Sequence, residues 1–264
     1  MNPQHLDHPL ALRIRKKIVQ ALSDFEMISE GDRILVCVSG GKDSSILLAL
    51  LKEIQRRSQF QFEIEAAILD QKQPGFKVDY FKKWIEVEVG VPLHILERDT
   101  YSIVKEKIQS GTYCSLCSRL RRAILYDFAY EKGFNKMALG HHKDDLVETL
   151  LLNMFYTGNI SSMPPKLKSD DGRNVVLRPL AYVDEKDLIE LQKYWSFPLI
   201  PCNLCGSQEG LKRKKIKSLL KDLEGDIPAI KESLLTSMSQ IKPSQLLDKN
   251  LWDFQRFTDV VANA

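Results

Sequence analysis

Ser39-Gly40-Gly41-Lys42-Asp43-Ser44 puts two hydroxyls, two glycines, a cation and a carboxylate into six positions. An apolar run, Ile34 to Val38, precedes it, and a helical pattern, Ser45 to Leu51, follows. Strand, glycine turn and helix start together aim backbone N–H groups at a phosphate. The glycines admit the anion closely, Lys42 neutralises it, and Ser39 and Ser44 donate to it. A second group is Gly140-His141-His142-Lys143-Asp144-Asp145, again at a strand-to-helix turn. Its carboxylates suit Mg²⁺, directly or through water. Aspartates at a helix start also act as simple caps. Adjacent histidines there more often bond the backbone or a substrate than a metal. Four of the five cysteines form two Cys-x-x-Cys pairs, Cys114/Cys117 and Cys202/Cys205. That spacing serves a tetrahedral zinc site and an iron–sulfur cluster equally well, so the residues leave both open. A redox pair carrying a persulfide is a third option. Cys37, inside the first strand, reads as a small core residue.

The loop is not a Walker A motif, which needs four residues between its glycines and Ser or Thr directly after Lys. It resembles instead the PP-loop of the ATP pyrophosphatases, which split ATP into AMP and pyrophosphate while activating a carbonyl oxygen.

Composition narrows the class. A chain of 264 residues suits one large α/β domain with a modest appendage. Hydrophobic content of 44% and charged content of 28% are those of a globular protein. No run reaches the ~18 apolar residues of a membrane span, and Met1 to Pro9 has no signal-peptide core. These features predict a cytoplasmic protein with no membrane partner. Net charge is only +3, but basic residues cluster at Arg13 to Lys17, Arg119 to Arg122 and Lys212 to Lys217. Beside a nucleotide loop, three such clusters suit an RNA-facing surface.

The elements that must position these groups follow from periodicity. Helices are expected over 10–27, from the loop to about Arg57, and over 78–89, 115–131, 146–156 and 185–195. Strands are expected at 34–38, 63–69, 92–96, 136–140 and 174–180, and an exposed flexible loop at 161–173. The alternation predicts a parallel, doubly wound α/β sheet with helices on both faces and extra N- and C-terminal helices. The expected organisation is an N-terminal helical segment over 1–30, a nucleotide domain over 31–200 and a cysteine-containing basic helical extension over 201–264. Ligands bind such sheets at the carboxyl ends of the strands, where Ser39, Asp70 and Gly140 all fall.

Taken in order, the loop at 39–44, Gly111 to Arg122, Gly140 to Asp145 and Ile200 to Gln208 resemble the tRNA 2-thiocytidine biosynthesis family, a branch of the PP-loop ATP pyrophosphatases. The similarity runs from about residue 10 to 225. It implies thiolation at C2 of cytidine 32 in tRNA. The C2 oxygen attacks the α-phosphate of ATP, pyrophosphate leaves, and a sulfur nucleophile then expels AMP. It implies ATP and Mg²⁺, and a [4Fe–4S] cluster on Cys114, Cys117 and Cys205 with Cys202 spare. Ser39, Gly40, Gly41, Lys42, Asp43 and Ser44 would hold the phosphates. Asp70 and Gly140 would approach the adenosine. Lys42, Asp43, Asp144, Asp145 and Arg121 would serve the chemistry. Implied partners are tRNA, a sulfur-donating system such as a cysteine desulfurase, and a second copy in a homodimer. The rival readings are thiolation of another tRNA base beside zinc, and a zinc-stapled RNA-binding protein.

Overall fold

The computed structural model describes residues 3–107, 113–200 and 208–257. Two compact units divide at Leu219/Leu220. The first opens with α1 (Pro3–Leu6) and α2 (Pro9–Asp24). There follow β1 (Arg33–Cys37), α3 (Lys42–Arg57), β2 (Glu63–Asp70) and α4 (Asp79–Lys83), which runs into a π-helical turn, Trp84–Val89. Next come β3 (Leu93–Glu97), α5 (Thr100–Lys107), α6 (Tyr113–Glu131), β4 (Lys136–Leu139) and α7 (Lys143–Thr157). The series closes with β5 (Lys166–Lys168), β6 (Val175–Leu177), α8 (Glu185–Trp195) and α9 (Gln208–Asp226), which crosses the unit boundary. The second unit holds the end of α9 and α10 (Ile230–Ser237), with short 3₁₀ turns at Pro243–Gln245 and Phe254–Phe257.

Six strands form one sheet in the order β3-β2-β1-β4-β6-β5. All neighbours are parallel except β5, which runs antiparallel to β6. The sequence pattern anticipates the five parallel strands and the helices on both faces. It misses β5, which lies inside the expected loop at 161–173. All three β5 residues are exposed, and two are lysines. A charged, uncovered edge strand carries no alternating apolar signal.

The two-residue period of β1 sorts its side chains between two cores. Ile34, Val36 and Val38 face α2, α3 and α8 in the larger core. Leu35 and Cys37 face Leu125 and Ala129 of α6 in a smaller one. α3 buries Ile46, Leu47, Leu48, Leu50 and Leu51 completely, each worth roughly 1.5–3 kcal/mol. That anchorage fixes its N-terminus, and with it the loop 39–44, at the end of β1. No helix among the described residues is long and apolar enough to cross a membrane.

Candidate active site

The chain winds from β1 outward through β2 to β3, then returns to β4 on the other side of β1. The crevice at such a reversal, beyond the strand ends, is where open α/β sheets bind ligands. β1 delivers Ser39 to Ser44 there, and β4 delivers Gly140 to Asp145.

The loop is folded by its own hydroxyls. Ser39 N–H donates to Ser44 Oγ at 3.1 Å, and the two hydroxyls are 3.2 Å apart. Gly41 N–H donates to Ser39 Oγ at 3.3 Å. Gly41 caps α3 with no side-chain hydrogen bond, so the first-turn N–H groups are offered to an outside acceptor. Gly40 sits at φ +80°, where a Cβ would come within 2.6 Å of Ile200 Cβ. Gly140 is packed against the loop itself: a Cβ there would lie 2.7 Å from Ser44 N. The two motifs are thus in backbone contact.

Carboxylates and cations interlock around this contact. Lys42 Nζ donates to Asp43 Oδ2 at 3.2 Å and lies 3.5 Å from Glu185 Oε1. Asp43 Oδ1, 3.1 Å from the same nitrogen, is enclosed without a well-aligned hydrogen bond. Burial raises the Asp43 carboxyl above its ordinary value, against the pull of Lys42. Asp145 Oδ2 accepts from His142 N–H at 3.1 Å, closing a capping box on α7. Asp145 Oδ1 accepts from Arg213 Nη1 at 3.2 Å. Asp144 is turned elsewhere, accepting the Glu185 N–H at 2.7 Å. Burial lowers the His141 imidazole to about 4, although Asp145 pulls the other way. The ring is therefore neutral at physiological pH, and its enclosed Nδ1 has no hydrogen-bond partner among the described residues.

A cavity of about 250 Å³ opens here, walled by Ser39, Asp43 and Ser44 on one side and by Gly140, His141 and Asp145 on another. Its third wall is α6, through Ser118, Arg121, Arg122, Leu125 and Tyr126. Those positions are one helical stripe (i, i+3, i+4, i+7, i+8). Cys117, beside Ser118, points its thiol at Gln71 Oε1 at 2.9 Å. Cys37 forms part of the cavity floor, and burial pushes its thiol up to about 12. It stays a protonated core thiol.

The expected site residues Ser39, Asp43, Ser44, Gly140, Asp145 and Arg121 therefore meet around one cavity. Gly40, Gly41 and Lys42 belong to the same loop but are not among the cavity-wall residues, and Asp144 is turned to the Glu185 N–H instead. Asp70 ends β2 and is tied to Lys72, accepting its N–H at 2.7 Å. It is not among the cavity-wall residues. The side chain of Cys114, and all of Cys202 and Cys205, lie outside the described residues. Three participants carried no motif: Glu185, which the helix pattern at 185–195 marks only as a first-turn acid, Arg213, which sits unmarked in a basic run, and Tyr126.

Fold and loop define this chain as a PP-loop protein: the PP-loop domain family matches residues 10–197. A tRNA-cytidine(32) 2-sulfurtransferase of Bdellovibrio bacteriovorus is 69% identical over 94% of this chain and 95% of the relative. The protein of that name from Coxiella burnetii is 53% identical over 92% of this chain and 96% of the relative. The chain belongs to the tRNA-cytidine(32) 2-sulfurtransferase family, the one its four motifs resemble. Among solved structures, the U34-tRNA thiolase NcsA from Methanococcus maripaludis, determined with its [4Fe-4S] cluster, superposes with a TM-score of 0.70. It shares 20% identity over 89% of this chain and 80% of that one. The shared feature is the fold.

Proposed function

We propose that this protein uses ATP to replace the C2 oxygen of cytidine 32 in tRNA with sulfur. The observation that carries the reading is the single cavity on which the phosphate loop, the Gly140–Asp145 turn and the cysteine-bearing helix α6 converge. Membership of the family named above supports the substrate. ATP phosphates fit the loop: α3 offers uncapped N–H groups, and Lys42 supplies the cation. The enclosed Asp43 Oδ1, with Asp145 across the cavity, suits a Mg²⁺ ion riding on those phosphates. Asp70 would meet the adenosine, and Arg121 the adenylate or the RNA.

The C2 oxygen attacks the α-phosphate, an O–P bond forms and pyrophosphate departs. Lys42 and the loop N–H groups stabilise the charge that develops on phosphorus oxygens. A sulfur nucleophile then bonds C2, and the C2–O bond breaks to release AMP. Cys114, Cys117 and Cys205 would hold a [4Fe–4S] cluster. Cys117, the one whose side chain is described, fits by standing beside the cavity wall. When bound, the cluster would hold the incoming sulfur next to the activated base. The proposal further includes a sulfur-donating system such as a cysteine desulfurase, a cytoplasmic location and a homodimer. The exposed apolar run Met154, Phe155, Tyr156 and Ile160 supports a protein contact.

The test is anaerobic turnover with tRNA, ATP and sulfide. Wild-type protein should yield 2-thiocytidine, AMP and pyrophosphate. Lys42→Ala should slow pyrophosphate release by about 10²–10³-fold, and Cys117→Ser should lose both iron and thiolation. Full pyrophosphate release by Lys42→Ala, or unchanged iron in Cys114→Ser, Cys117→Ser and Cys205→Ser alike, would defeat the reading.

A further inference from the structure

Arg178 follows β6 directly, at the carboxyl end of the sheet, and its side chain is buried, the residue being 8% exposed. Nη1 donates to Pro164 O at 2.5 Å, and the backbone N–H donates to Pro165 O at 2.8 Å. Nε is enclosed and has no hydrogen-bond partner among the described residues. Burial is the main influence on its pKa, which it lowers, and the titratable neighbours that act on it are Tyr126, a neutral phenol whose own pKa burial raises, and the cation Arg122. Among the described residues no carboxylate pairs with it. The other buried cations differ. Lys136 faces Asp32 at 2.5 Å, and Lys143 faces Asp184 at 2.7 Å. A buried charge without an opposite charge is costly, so the missing anion is to be sought in a ligand.

The surroundings point to where it enters. Arg178 acts electrostatically on His141 and Tyr126, and both wall the cavity together with Arg121 and Arg122. Arg121 and Arg122 make the α6 wall positive, and Tyr126 gives it an aromatic ring. With strands about 4.8 Å apart and β4 between β1 and β6, the end of β6 is about 10 Å from the end of β1. Arg178 and the phosphate loop therefore leave the sheet at different strand ends.

We propose that Arg178, with Arg122 beside it, receives a phosphodiester of the RNA chain next to the target cytidine and so positions that nucleotide over the cavity. The inference rests on the proposed tRNA substrate. It makes Arg178 a binding residue that seats the loop of the RNA while the phosphate loop seats ATP.

The test measures tRNA affinity across a salt series for wild-type, Arg178→Gln and Arg178→Lys, with ATP affinity measured separately without RNA. Arg178→Gln should reduce the slope of log K against log salt by about 0.7–0.9, the value of one phosphate contact. It should raise KM for tRNA and leave ATP affinity unchanged. Arg178→Lys should restore the slope. A wild-type slope in a folded Arg178→Gln protein overturns the inference, as does loss of ATP affinity alone, which would assign the anion to the nucleotide. Should Arg178→Gln fail to fold, methylphosphonate substitution of single phosphates flanking the target cytidine decides the matter with wild-type protein. Weakened binding supports the contact, and no weakening at either flank overturns it. Wild-type protein that thiolates tRNA yet fails these tests sinks this inference alone, whereas wild-type protein that neither binds nor thiolates tRNA sinks the proposed function as well.

Discussion

Asp144 and Asp145 are neighbours with different work. Successive helix residues point about 100° apart, so a pair at the start of α7 serves two directions. Asp144 is buried and fastens the Glu185 N–H at 2.7 Å, joining α7 to the first turn of α8. Asp145 walls the cavity and holds Arg213. Read from sequence, both are equal candidates for Mg²⁺, because spacing alone does not say which carboxylate faces the crevice. Asp144→Ala should then lower stability by about 1–3 kcal/mol through the unsatisfied buried N–H, with pyrophosphate release per folded molecule kept within a few-fold of wild type. Asp145→Asn should do the reverse, slowing release by about 10²-fold with a small change in Tm. Thermal melts beside a pyrophosphate assay check both. Equal kinetic losses in two stable variants would show that the orientation difference has no functional meaning.

Elements were legible in the sequence where burial imposed a period. The helix expected at 185–195 is the one observed, Glu185–Trp195, and the strand expected at 63–69 is observed as Glu63–Asp70. The loop and the Gly140 turn were legible because glycine, lysine and aspartate at fixed spacing have few other uses. What stayed hidden is long-range pairing of polar side chains, which leaves no local pattern: Glu185 under Lys42, and Arg213 against Asp145 across 68 residues. Asp184 belongs to this hidden class. It precedes α8 and accepts from Lys143 of α7 at 2.7 Å and from Lys17 of α2 at 2.5 Å, so one carboxylate joins three helices behind the site. Burial alone would raise its pKa, but the two ammonium groups outweigh burial and hold it at about 2, below the ordinary 3.8. A depressed folded-state pKa gives stability that is complete above the unfolded value and is lost as pH falls through the folded one. Wild-type protein should therefore lose stability between about pH 4 and pH 2 on this account. Asp184→Asn should be less stable at neutral pH and show a shallower loss over that window, read as urea midpoints by circular dichroism. An unchanged slope would remove Asp184 as the acid-sensitive joint.

At the scale of the whole molecule, the question is how one end of the chain reaches the nucleotide motifs. α9 begins at Gln208, directly after the segment that carries Cys202 and Cys205. Its first half is clasped onto the site by two cations. Arg213 lies 3.2 Å from Asp145 and 3.6 Å from Glu148, and Lys217 lies 2.5 Å from Glu185, which also faces Lys42. Both clasps close on carboxylates that border the phosphate loop, and Ile216 between them is buried. Exposed pairs of this kind contribute little singly, ~0–1 kcal/mol, but these acids are partly or fully buried, and Glu148 would lose its main cation. Burial already raises the Glu148 carboxyl, with Arg213 as the main opposing influence, so losing Arg213 drives Glu148 further toward its neutral form. Arg213→Ala and Lys217→Ala share one helix and one set of acids, so their effects should not add. The double variant should melt below the wild type, with a coupling of about 0.5–3 kcal/mol. Because α9 anchors the chain just beyond Cys205, the double variant should also retain less iron after anaerobic reconstitution, while Lys42→Ala, which leaves both clasps intact, should retain wild-type iron. Full iron content in the double variant would show that the cysteine segment is held independently of α9, and the phosphate loop and the cysteine segment would then be two separately built parts of the protein.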